Sequence, residues 1–237
     1  MPRKRKSSVE MEQLGPPKIT LRTKDLTEKQ KSLVKMALNN LNKIIFISGP
    51  AGSTKTYIAV YSALRRLKMD DDLDLLYVRT VIESADKGLG ALPGDIGEKF
   101  NPYIAPLEDK LRELLPTTTG VVNDLIKKQR VQAIPINFLR GANWINKIVV
   151  ADEAQNFTFK ELTTLITRLG ENSQLFICGD YMQSDINGKS GFVDMFKLFD
   201  DAESKEKGIE CFSFGLKDIK RSPLLSYIIK KLSSKLV

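Results

Sequence analysis

Gly49-Pro-Ala-Gly-Ser-Thr-Lys55-Thr56 decides how this chain is read. It follows Lys43-Ile-Ile-Phe-Ile-Ser48, a short apolar run suited to a strand buried on both faces. It precedes Lys55–Lys68, where Ile58, Ala59, Ala63, Leu64 and Leu67 recur at helical spacing. A strand, a glycine-bearing loop and a helix in that order form a phosphate-binding P-loop. Loop N–H groups curl around phosphate oxygens, and the helix N-terminus adds positive potential. Lys55 is placed to reach the β- and γ-phosphates, and the Thr56 hydroxyl to ligate Mg²⁺. The expected nucleotide contacts are Gly49, Pro50, Ala51, Gly52, Ser53, Thr54, Lys55, Thr56 and Tyr57. One position departs from the pattern: Thr54 stands where glycine is expected, adding bulk beside the phosphates and restricting the backbone.

Working outward, two more apolar runs end in polar residues. Lys147-Ile-Val-Val-Ala-Asp152-Glu153-Ala154-Gln155-Asn156 reads as a Walker B strand. Asp152 would hold Mg²⁺ through its water shell, and Glu153 would orient or activate the attacking water. Paired carboxylates favour hydrolysis over transfer to a small molecule, which disfavours a kinase. Leu175-Phe-Ile-Cys-Gly179-Asp180-Tyr-Met-Gln183 delivers a third polar set: Gln183 to sense the γ-phosphate and Asp180 for the water or metal shell. Arginine candidates for transition-state charge are Arg79, Arg140, Arg168 and Arg221, with Arg221 and Arg168 favoured. Gln30, before the P-loop, would read adenine through its amide or close a capping box with Thr27. Both hold only if the amide is shared.

Further strands are expected at Asp74–Arg79, Val131–Asn137 and Ile209–Phe214, with Pro135 marking an edge. Helices are expected at 27–40, Val121–Gln129, Thr158–Leu169, Gly191–Phe199 and from Pro223 to about Leu236. Residues 80–120 carry many glycines and prolines and read as an irregular insertion. Residues 1–18 read as a disordered basic arm, and 19–237 as one domain. Alternating strands and helices predict a three-layer α/β fold with a parallel sheet flanked on both faces.

Composition narrows the chemistry. The 237 residues include no histidine and two cysteines, Cys178 and Cys211. This excludes histidine-based nucleophile systems, histidine-ligated zinc and four-thiolate metal sites. Cys178 reads as a buried strand residue without redox work. The net charge of +8 sits at the ends: residues 1–8 carry four positive charges and no negative one, and 217–237 carry six and one. Segment 9–216 holds 27 positive and 28 negative charges. No apolar run approaches the roughly 20 residues of a bilayer span. With no signal peptide either, a cytoplasmic, non-membrane protein is expected.

With these residues assembled, the chain resembles the PhoH-like family of P-loop ATPases over about Leu26–Ile229. The resemblance rests on Gly49-Pro-Ala-Gly52, Leu92-Pro-Gly-Asp95, Pro102-Tyr103 with Pro106, Arg140-Gly141, Asp152-Glu-Ala-Gln-Asn156 and Thr167-Arg-Leu-Gly170. It extends to Gly179-Asp180 with Gln183, Asp185, and Asp218 with Arg221 and Pro223. It implies a single RecA-like core related to superfamily 1 helicases, with ATP and Mg²⁺ as ligands. It also implies ATP hydrolysis linked to RNA or single-stranded nucleic acid, and short stand-alone members are frequent in bacteriophages. Since one such core lacks the second that completes a helicase site, a homo-oligomeric ring, a hexamer by resemblance, would supply the arginine in trans. The competing reading is an oligomeric ATP-dependent switch acting on a protein partner. Trp144 is the lone tryptophan, and no base-stacking ladder is visible.

Overall fold

The computed structural model describes residues 17–22, 25–80, 96–116, 120–139, 143–181, 186, 189–220 and 222–233. The apolar runs form strands β1 (Ile44–Ser48), β2 (Asp74–Arg79), β3 (Val131–Pro135), β4 (Lys147–Ala151), β5 (Gln174–Gly179) and β6 (Ile209–Ser213). They make one sheet in the order β3-β2-β4-β5-β1-β6, and every pairing is parallel. The expected α/β class, with a parallel sheet flanked on both faces, is what the chain forms. Pro135 closes edge strand β3, where its missing N–H leaves no ladder bond unmade.

The helices are α1 (Glu28–Leu38), α2 (Lys55–Met69), α3 (Ile96–Leu114), α4 (Val121–Lys127), α5 (Phe159–Ile166), α6 (Phe192–Phe199), α7 (Ala202–Glu206) and α8 (Pro223–Ser233). The capping box expected at Thr27 is present, and a second one was not anticipated. Thr27 and Gln30 close a capping box on α1, and Thr158 and Glu161 close one on α5. Of the expected basic arm, 1–18, residues 1–16 lie outside the described residues, whereas Ile19 is already buried in the core.

Strand period two splits the core. Ile45, Ile47, Tyr77, Val150, Phe176 and Cys178 face the layer of α1, α2, α3 and α4. Phe46, Val78, Val149, Ala151, Leu175 and Ile177 pack on the other face, against Leu162, Leu165, Phe192 and Met195 of α5 and α6. Connections β1 to β2 to β3 run one way along the sheet over the first face. Those from β3 through β6 run back over the second. Reversing direction and face together preserves right-handed crossovers.

The segment expected to be irregular contains a 19-residue helix, α3. Prolines at 102 and 106 argue against a helix locally. Leu107, Leu111 and Leu114 recur at helical spacing, are fully buried, and join the α1/α2 core. Burial of that stripe outweighs the breaker residues. α7 was not anticipated either; Asp201 caps it by accepting from the Ser204 N–H at 2.8 Å.

Candidate active site

The P-loop residues meet at the carboxyl ends of the strands, where parallel α/β sheets bind ligands. Gly49 needs its lack of a side chain: a Cβ there would lie 2.8 Å from the Phe214 Cβ and 2.9 Å from the Ser53 Oγ. Ser53 is fully buried, and its hydroxyl donates to the Pro50 carbonyl at 2.7 Å. The Lys55 ammonium donates to the carbonyls of Gly49 and Pro50 at 2.7 and 3.1 Å. It therefore sits at the mouth of the loop it is expected to serve. Thr54 occupies the left-handed region, with φ 68° and ψ 18°, which is why glycine is the usual residue here.

Strand order brings the Walker B carboxylate to the loop. Thr56 Oγ1 donates to Asp152 Oδ1 at 2.5 Å. Hydroxyl and carboxylate oxygens side by side suit Mg²⁺, which takes few protein ligands and keeps several waters. Among the described residues no group of three or more acidic or thiol side chains offers a competing cage.

Tyr77 was not anticipated. It is fully buried on β2, and its hydroxyl donates to Asp152 Oδ2. Burial, and then the Asp152 carboxylate, push its phenol far above the ordinary value, so it remains a donor. Parity along parallel strands explains the meeting. Tyr77 pairs with Val150, and Asp152 lies two residues beyond Val150 on the same face. Tyr77→Phe is expected to lower the unfolding free energy by roughly 1.5–3 kcal/mol, the range for hydrogen bonds to charged groups. Urea denaturation measures this, and an unchanged midpoint would mean that the bond is not made in solution.

Glu153 lies in the same cleft. Its backbone is left-handed, at φ 54°. One carboxylate oxygen accepts from Gln155 Nε2 at 2.6 Å, and the other stands 3.5 Å from the Arg79 guanidinium. Gln155 is buried, and its amide oxygen accepts from the Asp180 N–H at 2.9 Å. Gln155 thus ties the Walker B turn to the end of β5. It stood in the quoted motif, but only tertiary contacts reveal its role.

The cleft holds about 490 Å³ and is lined by Lys55, Thr56, Arg79, Asp152, Glu153 and Asp180, among others. Pro106, Asp109, Lys110 and Glu113 of α3 form a further wall, so the segment expected to be irregular reaches the site. Tyr57 also lines it; burial, then Glu113, push its phenol to about 12. Cys178 also lines the cleft; it is the buried strand residue expected, and burial pushes its thiol well above the usual value. Lys220 was missed. Its N–H donates to the Gly52 carbonyl at 3.0 Å, and the residue lines the cleft.

The arginines separate. Arg79 enters the cleft. Arg168 does not belong to its own chain's cleft: crossover helix α5 carries it away from the loop edge, beside Trp144, whose N–H donates to the Arg168 carbonyl at 2.8 Å. Arg140, Gln183 and Arg221 lie outside the described residues. Gln30 resolves the sharing question. Its amide oxygen accepts from the Thr27 N–H and its amide nitrogen donates to Thr54 Oγ1, both at 2.8 Å. Lys29 pairs with Asp218 at 2.8 Å, tying α1 to the segment after β6. Burial raises the Asp218 carboxyl, but hydrogen bonds from Lys29 and the Gly215 N–H outweigh it, and the net shift is downward.

A family model described as PhoH-like protein matches residues 22–233. A PhoH-like protein of Bacillus subtilis is 34% identical over 194 residues, covering 80% of this chain and 58% of its own length. Protein PhoH of Escherichia coli is 35% identical over 184 residues, covering 77% and 51%. A PhoH-like protein of Synechocystis is 32% identical over 189 residues, covering 79% and 56%. The chain thus spans about half the length of these curated relatives. Among solved structures, the Pif1 helicase of Candida albicans aligns with a TM-score of 0.40 at 15% identity, covering 81% of this chain and 40% of its own. Bacteroides sp Pif1 in complex with ADP-AlF4 aligns with a TM-score of 0.39 at 14% identity, covering 91% and 47%.

Proposed function

This chain belongs to the PhoH-like protein family, and from that premise we propose that it is an ATPase that binds ATP with Mg²⁺, hydrolyses the γ-phosphate bond and acts as a homo-oligomer on RNA or single-stranded nucleic acid. One observation carries the reading: Lys55, Thr56, Asp152 and Glu153, from the segments that follow two non-adjacent strands, β1 and β4, converge on one cleft. Mg²⁺ supplies charge neutralisation on the phosphates, and Thr56 and Asp152 are the residues that would hold it. Lys55 and the loop amides bind and orient the phosphates. Glu153, anchored by Gln155, orients the attacking water and accepts its proton. Arg79 offers a cation within the same chain. A neighbouring copy would supply the finger, with Arg221 or Arg168 as the candidate. Gln183 is the proposed γ-phosphate sensor.

The two basic ends support a nucleic-acid partner. The balanced centre supports the competing reading, an ATP-dependent switch on a protein partner. Among the described residues no helix is long and apolar enough to cross a membrane. The deciding experiment measures ATP turnover with and without single-stranded RNA across protein concentration. We expect stimulation by RNA and specific activity that rises with concentration. Absence of any RNA response would favour the switch. Full specific activity in a monomer at every concentration would remove the ring.

A further inference from the structure

The residue before a P-loop lysine turns the backbone into a region that glycine enters freely and a β-branched residue does not. Thr54 is held there, at φ 68°. Its hydroxyl donates to the Ser53 carbonyl at 2.6 Å and accepts from Gln30 Nε2 at 2.8 Å. The orientation of the Gln30 amide follows from its partners. The Thr27 backbone N–H can only donate, so the amide oxygen must face it, and the nitrogen is thereby turned toward Thr54. The Gln30 N–H donates in turn to Thr27 Oγ1 at 3.2 Å, and Gln30 is 5% exposed. The first turn of α1 is thus a rigid anchor that grips the loop at the position where threonine replaces the expected glycine.

We propose that Gln30 is a positioning residue of the phosphate loop, acting through Thr54 to hold a threonine in a glycine-type conformation so that the loop amides stay aimed at the bound phosphates. This rests on the reading of the loop as a nucleotide site and departs from the expectation that Gln30 reads the adenine base directly. It predicts that the two residues are energetically coupled, and that loss of Gln30 weakens all purine nucleotides alike.

The test is a double-mutant cycle of Gln30→Ala and Thr54→Gly, read by thermal midpoint without nucleotide and by titration with ADP and GDP. Gln30→Ala is expected to lower the midpoint by about 2–4 °C more in the wild-type background than in Thr54→Gly. It is expected to weaken ADP and GDP by about fivefold each in wild type, and by less than about twofold in Thr54→Gly. The lost acceptor for Thr27 is common to both backgrounds and cancels. Equal effects in the two backgrounds would reduce Gln30 to a helix cap and overturn the proposal. So would a loss confined to ADP, which would make Gln30 a base reader. If no protein binds either nucleotide, the nucleotide reading fails, and the nucleotide-free cycle still decides the coupling. Should Gln30→Ala not fold, Thr54→Val against Thr54→Ser replaces it. The valine, without a hydroxyl, is expected to weaken both nucleotides by about fivefold relative to the serine, and equal affinities would overturn the link.

Discussion

Replacing Glu153 with glutamine is expected to lower ATP turnover by roughly 10²–10⁴-fold, the range for loss of a positioned general base, while nucleotide affinity stays within about twofold. The Glu153 carboxylate stands apart from the Thr56–Asp152 pair and is held by Gln155 at 2.6 Å. Its left-handed backbone, at φ 54°, is a conformation that non-glycine residues adopt at a cost and that clusters at functional sites. Glutamine keeps the size and the hydrogen-bonding reach but cannot accept a proton from water. Single-turnover hydrolysis beside a fluorescent-nucleotide titration separates the two effects. A variant that turns over at the wild-type rate would remove Glu153 from the chemistry and leave Asp152 and Asp180 as the carboxylates to consider.

The largest effect on stability is expected at Phe176. It is fully buried in the centre of β5, paired with Ile45 of β1 on one side and Val150 of β4 on the other. Both neighbours are backbone-paired strands that cannot close over a missing ring without breaking the ladder. Phe176→Ala is therefore expected to cost roughly 3–5 kcal/mol. That is a large part of the roughly 5–15 kcal/mol that holds a domain together. Leu198→Ala makes the control: Leu198 is 57% exposed on α6, and a change of less than about 0.5 kcal/mol is expected. Urea denaturation of the two variants measures both, and similar midpoints would contradict the placement of Phe176 at the heart of the sheet.

Much of the site was legible because its signals are local. Thr27 and Gln30 stand three residues apart, and the pair closes the cap its spacing implies. The P-loop reads from strand, glycine and helix in sequence, and Asp152 from its place after four apolar residues. Pro135 marked an edge because it lacks a donor. Other parts required partners that spacing does not specify. α3 is written with prolines, and only the core waiting for Leu107, Leu111 and Leu114 makes it a helix. Tyr77 looked like one more apolar strand residue until β2 was seen beside β4. Arg168 ends a helix in a suggestive motif, yet the length of α5 takes it away from the cleft.

By itself, then, the amino-acid sequence determined which segments are strands, where the phosphate loop turns and which carboxylates end the strands. These follow from backbone geometry and from hydrogen bonds within a few residues. The tertiary structure alone decided which strands are neighbours. That placed Tyr77 under Asp152, joined Glu153 through Gln155 to Asp180, and set Gln30 on Thr54. Contacts across the sheet depend on strand order and parity, which the burial of apolar residues on both faces selects for the whole chain at once.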